Sequence, residues 1–315
     1  VQNRQAFIEL SEQNAAYILV IEQAAFVICL DDGAPETPEQ RARQFHFGDG
    51  SNRWHDKSIE FIITTNGMSG ILGDHTGLDA GTVYDVNVAI SEALQRYRPD
   101  GPSMGRYQET PLRIGRTTSD AINSEIRRMQ SEYQGRVATL EYRFPRPLAY
   151  GSALMKAHKI PPNSAFQLVV QLAARHHFGY TPACWETVLQ STFRKGRVEI
   201  NQIVSPQVKA FVDAAVDDTV DLVTCKQLFI EAARAHSSSV LSCTRAGGSD
   251  RFLTMLRELL VEGEEVPGLF NDPVYTRNRP RKIMSNCHKT DTLEDGCTLR
   301  DPEGVWLHVE VDTER

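Results

Sequence analysis

The feature that most constrains this chain is a strand, turn and strand followed at once by a helix. Ser58 to Thr65 reads SIEFIITT, a run of β-branched and aromatic side chains that suits a pleated strand. Asn66-Gly67 comes next, a pair that tolerates the left-handed backbone of a tight hairpin turn, and Met68 to Leu72 forms the returning strand. The hairpin delivers the chain to Gly73-Asp74-His75. From Gly81 onward, Val83, Val86, Ile90, Leu94 and Tyr97 recur at three- and four-residue intervals, which is one face of an amphipathic helix ending near Arg98. A hairpin with a helix to pack on it places the chain in the α/β class.

The rest of the chain keeps that alternation. Pro99 to Pro111, rich in Gly and Pro, is the best candidate for a crossing between domains. Thr118 or Ser119 caps a helix with Ile122, Ile126, Met129 and Tyr133 on its apolar face, and Val137 to Phe144 alternates like a strand. Phe166–His176, Cys184–Phe193, Pro206–Val216, Val220–Ala235 and Arg251–Val261 read as helices, and Val305 to Val311 as a half-buried strand. The most apolar stretch, Ala15 to Leu30, is too short to span a bilayer and is broken by Glu22 and Gln23, so a buried helix is expected there.

Composition narrows the function classes. A length of 315 residues allows two domains, and a net charge of -7 argues against a general nucleic-acid or anionic-membrane binder. Cys29, Cys184, Cys225, Cys243, Cys287 and Cys297 include no C-x-x-C pair, which points away from a zinc site or a disulfide scaffold and towards reduced thiols in the cytoplasm. The chain opens on VQNRQAF, without Met or a signal-peptide pattern, and is expected to be part of something longer.

The chemistry-bearing segment is Gly73-Asp74-His75-Thr76-Gly77-Leu78-Asp79. Its glycines let the backbone turn sharply, and a carboxylate four residues after the histidine can hold the imidazole in one tautomer, as a general base requires. Alone, the spacing also describes an ordinary surface turn. Ser51-Asn52-Arg53-Trp54-His55-Asp56-Lys57 precedes it. Ala165 to Ala173 (AFQLVVQLA), Trp185-Glu186-Thr187, Gly196-Arg197, Asp250-Arg251 and Leu269-Phe270-Asn271-Asp272-Pro273-Val274-Tyr275 follow in order. Together these segments resemble the carnitine/choline acyltransferase family, whose N-R-W-x-D-K segment precedes a catalytic H-x-x-x-[DE]-G turn; here the glycine comes one residue later, as Gly81.

The resemblance implies the coenzyme-A-dependent acyltransferase (chloramphenicol-acetyltransferase-like) fold, two related domains with mixed sheets flanked by helices. Residues 1–108 would be part of the first domain, with His75, and 109–315 the second. It implies His75 as general base and Asp79 as its orienting carboxylate. Oxyanion donors would fall on Asn286, with Ser285 replacing a threonine. A buried thiol is the simpler role for Cys287. At the positions where carnitine-specific members hold the acceptor's carboxylate stand Trp185, Val198 and Arg251. Two hydroxyl donors are thus absent, at a cost of a few kcal/mol each, which speaks against carnitine. Trp185 can stack on a cation as in choline recognition, and Arg251 either binds an anion or makes a structural ion pair.

Of the family's lysine pair for the 3′-phosphate of coenzyme A, Ser152 and Lys156 occupy the positions, with Lys159 nearby; the alternative is a solvated loop. A reduced phosphate site suits a donor carried on the phosphopantetheine arm of an acyl carrier protein, which lacks that phosphate. These departures resemble the carnitine-acyltransferase-type releasing domain of fungal highly reducing polyketide synthases. The expected reaction is polyketide release from the carrier thioester onto an alcohol or polyol, with no metal, no tightly bound cofactor and no nucleic-acid or membrane partner. The alternatives are a coenzyme-A-dependent carnitine or choline acyltransferase and a non-catalytic carrier-docking remnant. His176-His177 reads as a helix end and Gly247-Gly248 as a loop before a helix cap.

Overall fold

A computed structural model of the protein describes residues 2–98, 113–144, 151–261, 263–278, 284–287 and 308–311. These fall into two compact units, the first carrying the described residues through 144 and the second those from 151 onward.

The first unit runs α1 (Gln2–Glu9), α2 (Glu12–Gln23), β1 (Val27–Asp31), α3 (Pro38–His46), β2 (Ile59–Thr64), β3 (Ser69–Gly73), α4 (Ala80–Arg96) and α5 (Asp120–Val137). The expected hairpin is β2 and β3, antiparallel with Ile59 opposite Gly73 and Ile63 opposite Ser69. Gly67 takes φ +78° in the turn, the left-handed region that the Asn-Gly pair supplies. Strand β1 joins β2 in parallel, giving the order β1-β2-β3. α5 starts at Ser119, whose hydroxyl accepts the Ile122 N–H as an N-cap. Tyr133 on that helix donates its hydroxyl to Phe47 O at 3.0 Å, tying α5 to this unit.

The sheet inverts the usual distribution of polarity. Cys29, Asp31, Glu60 and Thr64 are buried beside Ile62, whereas Ile28 (54% exposed), Leu30 (71%) and Ile63 (42%) face outward. The buried helix expected over Ala15–Leu30 is therefore corrected: helix α2 ends at Gln23 and β1 begins at Val27. Ile18 alone of that stretch's helical aliphatics lies in the core, with Leu19 and Val20 about half exposed. The strand expected over Val137–Phe144 is absent among the described residues; Val137 closes α5, and 141–144 have no regular structure.

The second unit runs α6 (Ser152–Ala157), α7 (Pro162–Phe178), β4 (Cys184–Leu189), β5 (Val198–Gln202), α8 (Pro206–Ala215), α9 (Leu222–Thr244), α10 (Asp250–Glu258), α11 (Gly268–Asn271), α12 (Pro273–Asn278), β6 (Met284–Cys287) and β7 (His308–Val311). Its sheet has the order β5-β4-β6-β7, mixed because β4 and β6 are parallel and the other neighbours antiparallel. Leu168 on α7, Val208, Phe211 and Val212 on α8, and Ala232 and Ala233 on α9 form its apolar core. The helix expected over Cys184–Phe193 is a strand instead. Cys184, Glu186 and Val188 alternate inward, a period of two masked in the sequence because the middle inward residue is charged. Strand β7 matches the latter half of the expected Val305–Val311 strand; 305–307 and the Pro99–Pro111 crossing lie outside the described residues.

Candidate active site

The N-R-W-x-D-K segment is the brace of the first unit. Arg53 donates two parallel hydrogen bonds to Asp31, Nη1 to Oδ1 at 2.9 Å and Nη2 to Oδ2 at 2.7 Å, with the two side chains 1% and 5% exposed. Asn52 donates to Asp31 Oδ1 at 2.8 Å, and Gln44 donates to Oδ2. Burial pushes the Asp31 carboxyl up, but the bonds from Arg53, Gln44 and Asn52 outweigh it and leave the group below the ordinary carboxylate range. Trp54 N–H donates to the buried Glu60 Oε1 at 2.5 Å. Lys57 donates to the carbonyls of Ile21 (2.6 Å) and Glu22 (2.9 Å), where the end of α2 attracts a cation. The segment therefore joins α2, β1 and β2, and β2 carries the hairpin partner that leads to His75.

The hairpin continues one bond past β3, with Asp74 N–H donating to Ser58 O at 3.2 Å. Asp74 then folds the turn by accepting the Thr76 N–H at 3.0 Å and the Thr76 hydroxyl at 3.3 Å. Behind the turn β3 and α4 approach closely: a Cβ on Gly73 would sit 3.2 Å from Val83 Cγ2. His75 stands on the turn with its side chain 73% exposed. Asp79, at the N-cap position of α4, makes no side-chain cap hydrogen bond; its side chain is 11% exposed and places Oδ1 3.7 Å from His75 Nδ1. That separation is about half an ångström beyond hydrogen-bond length. An exposed imidazole with a sheltered carboxylate at its back can accept a proton from an incoming hydroxyl while the carboxylate steadies the imidazolium.

In the second unit, the paired strands β4 and β5 carry Trp185 and Val198, the residues expected on the acceptor side. Glu186 and Asn201 point inward, opposite each other, and Trp185, Thr187 and Leu189 occupy the other face. Trp185 pairs with Gln202 and Val198 with Leu189, so the two residues lie on one face but at opposite ends of the pair, about 13 Å apart along the strand. On the other side of β4, Ser285 pairs with Trp185 and Asn286 with Glu186. Strand β6 thus brings both residues beside Trp185 at backbone level.

Arg251 is exposed in the first turn of α10. Its N–H is capped at 3.1 Å by Glu199 Oε1. This is the cap expected of the Gly247-Gly248 loop, but the capping carboxylate comes from β5; Ser249, in the N-cap position, makes no side-chain cap bond. A Cβ on Gly248 would sit 2.3 Å from Glu199 Cγ, so glycine is needed for the carboxylate to pass.

Lys156 and Lys159 are exposed at the end of α6, Lys159 with φ +58° and its N–H donating to Lys156 O at 3.0 Å. His176 and His177 lie in the last turn of α7, which Gly179 closes at φ +75°. Burial pushes the Cys29 thiol up to about 11 and the Cys184 thiol up to about 12, so neither is a thiolate nucleophile at neutral pH. Among the described residues no group of three or more His, Cys, Asp or Glu could hold a metal ion, and no helix is long and apolar enough to cross a membrane.

Sequence reasoning overlooked the buried carboxylates. Asp31 and Glu186 organise their units, and each could have been found by asking which acidic residue lies within or closes an apolar run of strand-forming residues. Burial pushes the Glu186 carboxyl up, but His236, Asn163 and Asn201 hold it below the ordinary range.

Comparison with known proteins places the chain in a family. The family model described as Choline/Carnitine o-acyltransferase matches residues 1–308. The chain is 34% identical to the highly reducing polyketide synthase ltbA of Aspergillus luteorubrus, over 98% of its own length and 10% of that protein's. It is 30% identical to highly reducing polyketide synthase 17 of Metarhizium anisopliae, over 86% of its length and 9% of the relative. It is 26% identical to the mitochondrial carnitine O-acetyltransferase of Saccharomyces cerevisiae, over 92% of its length and 46% of that enzyme. The chain thus spans about a tenth of these synthases and just under half of the carnitine enzyme. With a family match across residues 1–308, nearly its whole length, the chain belongs to the choline/carnitine O-acyltransferase family.

Proposed function

We propose that the protein is an O-acyltransferase releasing an acyl chain, of polyketide type, from a carrier-protein phosphopantetheine thioester onto an alcohol or polyol. The observation that carries this reading is the exposed His75 with the Asp79 carboxylate 3.7 Å behind it. His75 takes the acceptor's proton as its oxygen attacks the thioester carbonyl. Ser285 and Asn286 donate to the resulting oxyanion. Collapse of the tetrahedral intermediate breaks the carbon–sulfur bond, and the leaving thiolate takes the proton back from His75. The overall fold in this reading is the two-domain chloramphenicol-acetyltransferase-like one, with the reaction in the cytoplasm.

Two lines support a carrier-bound donor: the likeness to synthases named as highly reducing polyketide synthases, and a phosphate site reduced to Lys156 and Lys159. Trp185 and Val198 make the outer face of the β4–β5 pair apolar at two separate points, with Arg251 as the anion contact. A second reading, a coenzyme-A-dependent carnitine or choline acyltransferase, is favoured by the 26% identity to a carnitine O-acetyltransferase. The two separate when acyl-pantetheine, acyl-carrier protein and acyl-coenzyme A are each offered with carnitine, choline and glycerol-like polyols, and ester is followed by mass spectrometry. Polyol ester formed from the carrier thioester is the expected result. Efficient esterification of carnitine from acyl-coenzyme A would replace it with the second reading.

A further inference from the structure

The interior of the second unit is built around a carboxylate. Glu186 has a side chain 5% exposed, and four side chains surround its oxygens. Asn163 and Gln167 donate to Oε2 at 3.1 and 2.9 Å, and Asn201 donates to Oε1 at 2.9 Å. His236 Nε2 lies 2.8 Å from Oε1. The network continues outward: His236 Nδ1 meets Ser164 Oγ at 3.0 Å, and Asn201 Oδ1 accepts the Ser239 hydroxyl at 2.5 Å.

Such a group is a poor source of stability. Apolar side chains of similar volume commonly do as well or better at a buried ionic site. What the network does supply is register, because its partners come from α7, β5 and α9 and reach a carboxylate at only one level of β4. That level is a rung running across three strands, from Asn201 on β5 through Glu186 on β4 to Asn286 on β6. A slip of β4 by one residue would turn the carboxylate to the opposite face and away from these donors. It would also change which residue of β6 stands beside Trp185.

We propose that Glu186 and His236 are positioning residues that fix β4 against α7, β5 and α9, and so the level of the β4 edge on which β6 pairs and presents Ser285 and Asn286. The catalytic consequence rests on the acyltransferase reading above; the structural one does not. The test uses the full chain with Glu186→Gln, which keeps the shape and loses the charge. His236→Gln, which keeps a donor towards Glu186, serves if the first variant does not fold.

In amide hydrogen exchange, residues 184–189 and 284–287 are expected to exchange about tenfold faster, with α8 unchanged. With an acyl-pantetheine donor, kcat is expected to fall about tenfold or more while the KM for the thioester stays put. Unchanged exchange in β4 and β6 of the folded variant overturns the proposal, and so does acceleration spread through the whole unit, which would make the network ordinary core. Faster exchange in those strands with unchanged kcat overturns its catalytic part. Should the wild-type protein transfer no acyl group, the function reading fails, and the exchange result still decides the register.

Discussion

Removing the arginine that faces Asp31 is the sharpest perturbation of the structure that presents His75. In Arg53→Met the carboxylate stays 5% exposed and loses both guanidinium bonds, at 2.7 and 2.9 Å, while Asn52 and Gln44 still donate to it. Breaking a buried pair from one side costs about 3–5 kcal/mol, and the surviving donors place this case near the lower end. For a unit of this size that lowers the thermal midpoint by about 10 °C. Adding Asp31→Asn removes the stranded charge; its oxygen still accepts from Asn52, and a flip of the Gln44 amide lets it accept the new N–H, so the double variant recovers to within about 2 kcal/mol of wild type. The cost of Arg53→Met should also shrink towards acid pH, where the unpaired carboxylate binds a proton. Thermal unfolding followed by circular dichroism at two pH values measures all three. A loss below about 1 kcal/mol for the single variant, or a double variant worse than the single, would refute the brace.

Three further outcomes are expected. Asp79→Asn keeps the shape behind His75 but removes its charge, and should lower kcat about tenfold to a hundredfold with little change in thioester KM, read by steady-state kinetics. Trp185→Tyr and Val198→Thr restore hydroxyls at two places about 13 Å apart along the β4–β5 pair, too far for both to meet one carboxylate directly, so the double variant should esterify carnitine no better than the better single variant, read by mass spectrometry of the ester. The folded-state pKa values of Asp31 and Glu186 are depressed, so their stabilisation is present above the unfolded carboxylate range near pH 4 and is lost as pH falls through the folded values. Acid titration of the thermal midpoint should show that decline, and Asp31→Asn should flatten it.

What could be read from the sequence depended on whether local pattern and tertiary environment agreed. The hairpin over 58–72 and the helix after it were legible because strand propensity, an Asn-Gly turn and a regular helical repeat all point one way. Helices α5, α7, α8 and α10 were legible for the same reason. Strand β4 was not, since its inward face carries a glutamate that only its partners on three other elements make tolerable. Strand β1 was merged into the preceding apolar run because its outward residues, Ile28 and Leu30, are the apolar ones. At the site, the spacing of His75 and Asp79 translated directly into proximity. The N-R-W-x-D-K segment, by contrast, marked the family without disclosing its physical role. The separation of Trp185 and Val198 along the β4–β5 pair could not be read from either segment, because register is a property of pairing that neither strand encodes alone.

The most direct test is turnover of an acyl-pantetheine thioester, with a polyol acceptor, by His75→Ala. His75 lies on an exposed turn, so the substitution should leave the thermal midpoint essentially unchanged. Loss of general-base catalysis should lower the rate about 10²- to 10⁴-fold. Turnover by the folded variant equal to that of wild type would contradict the account.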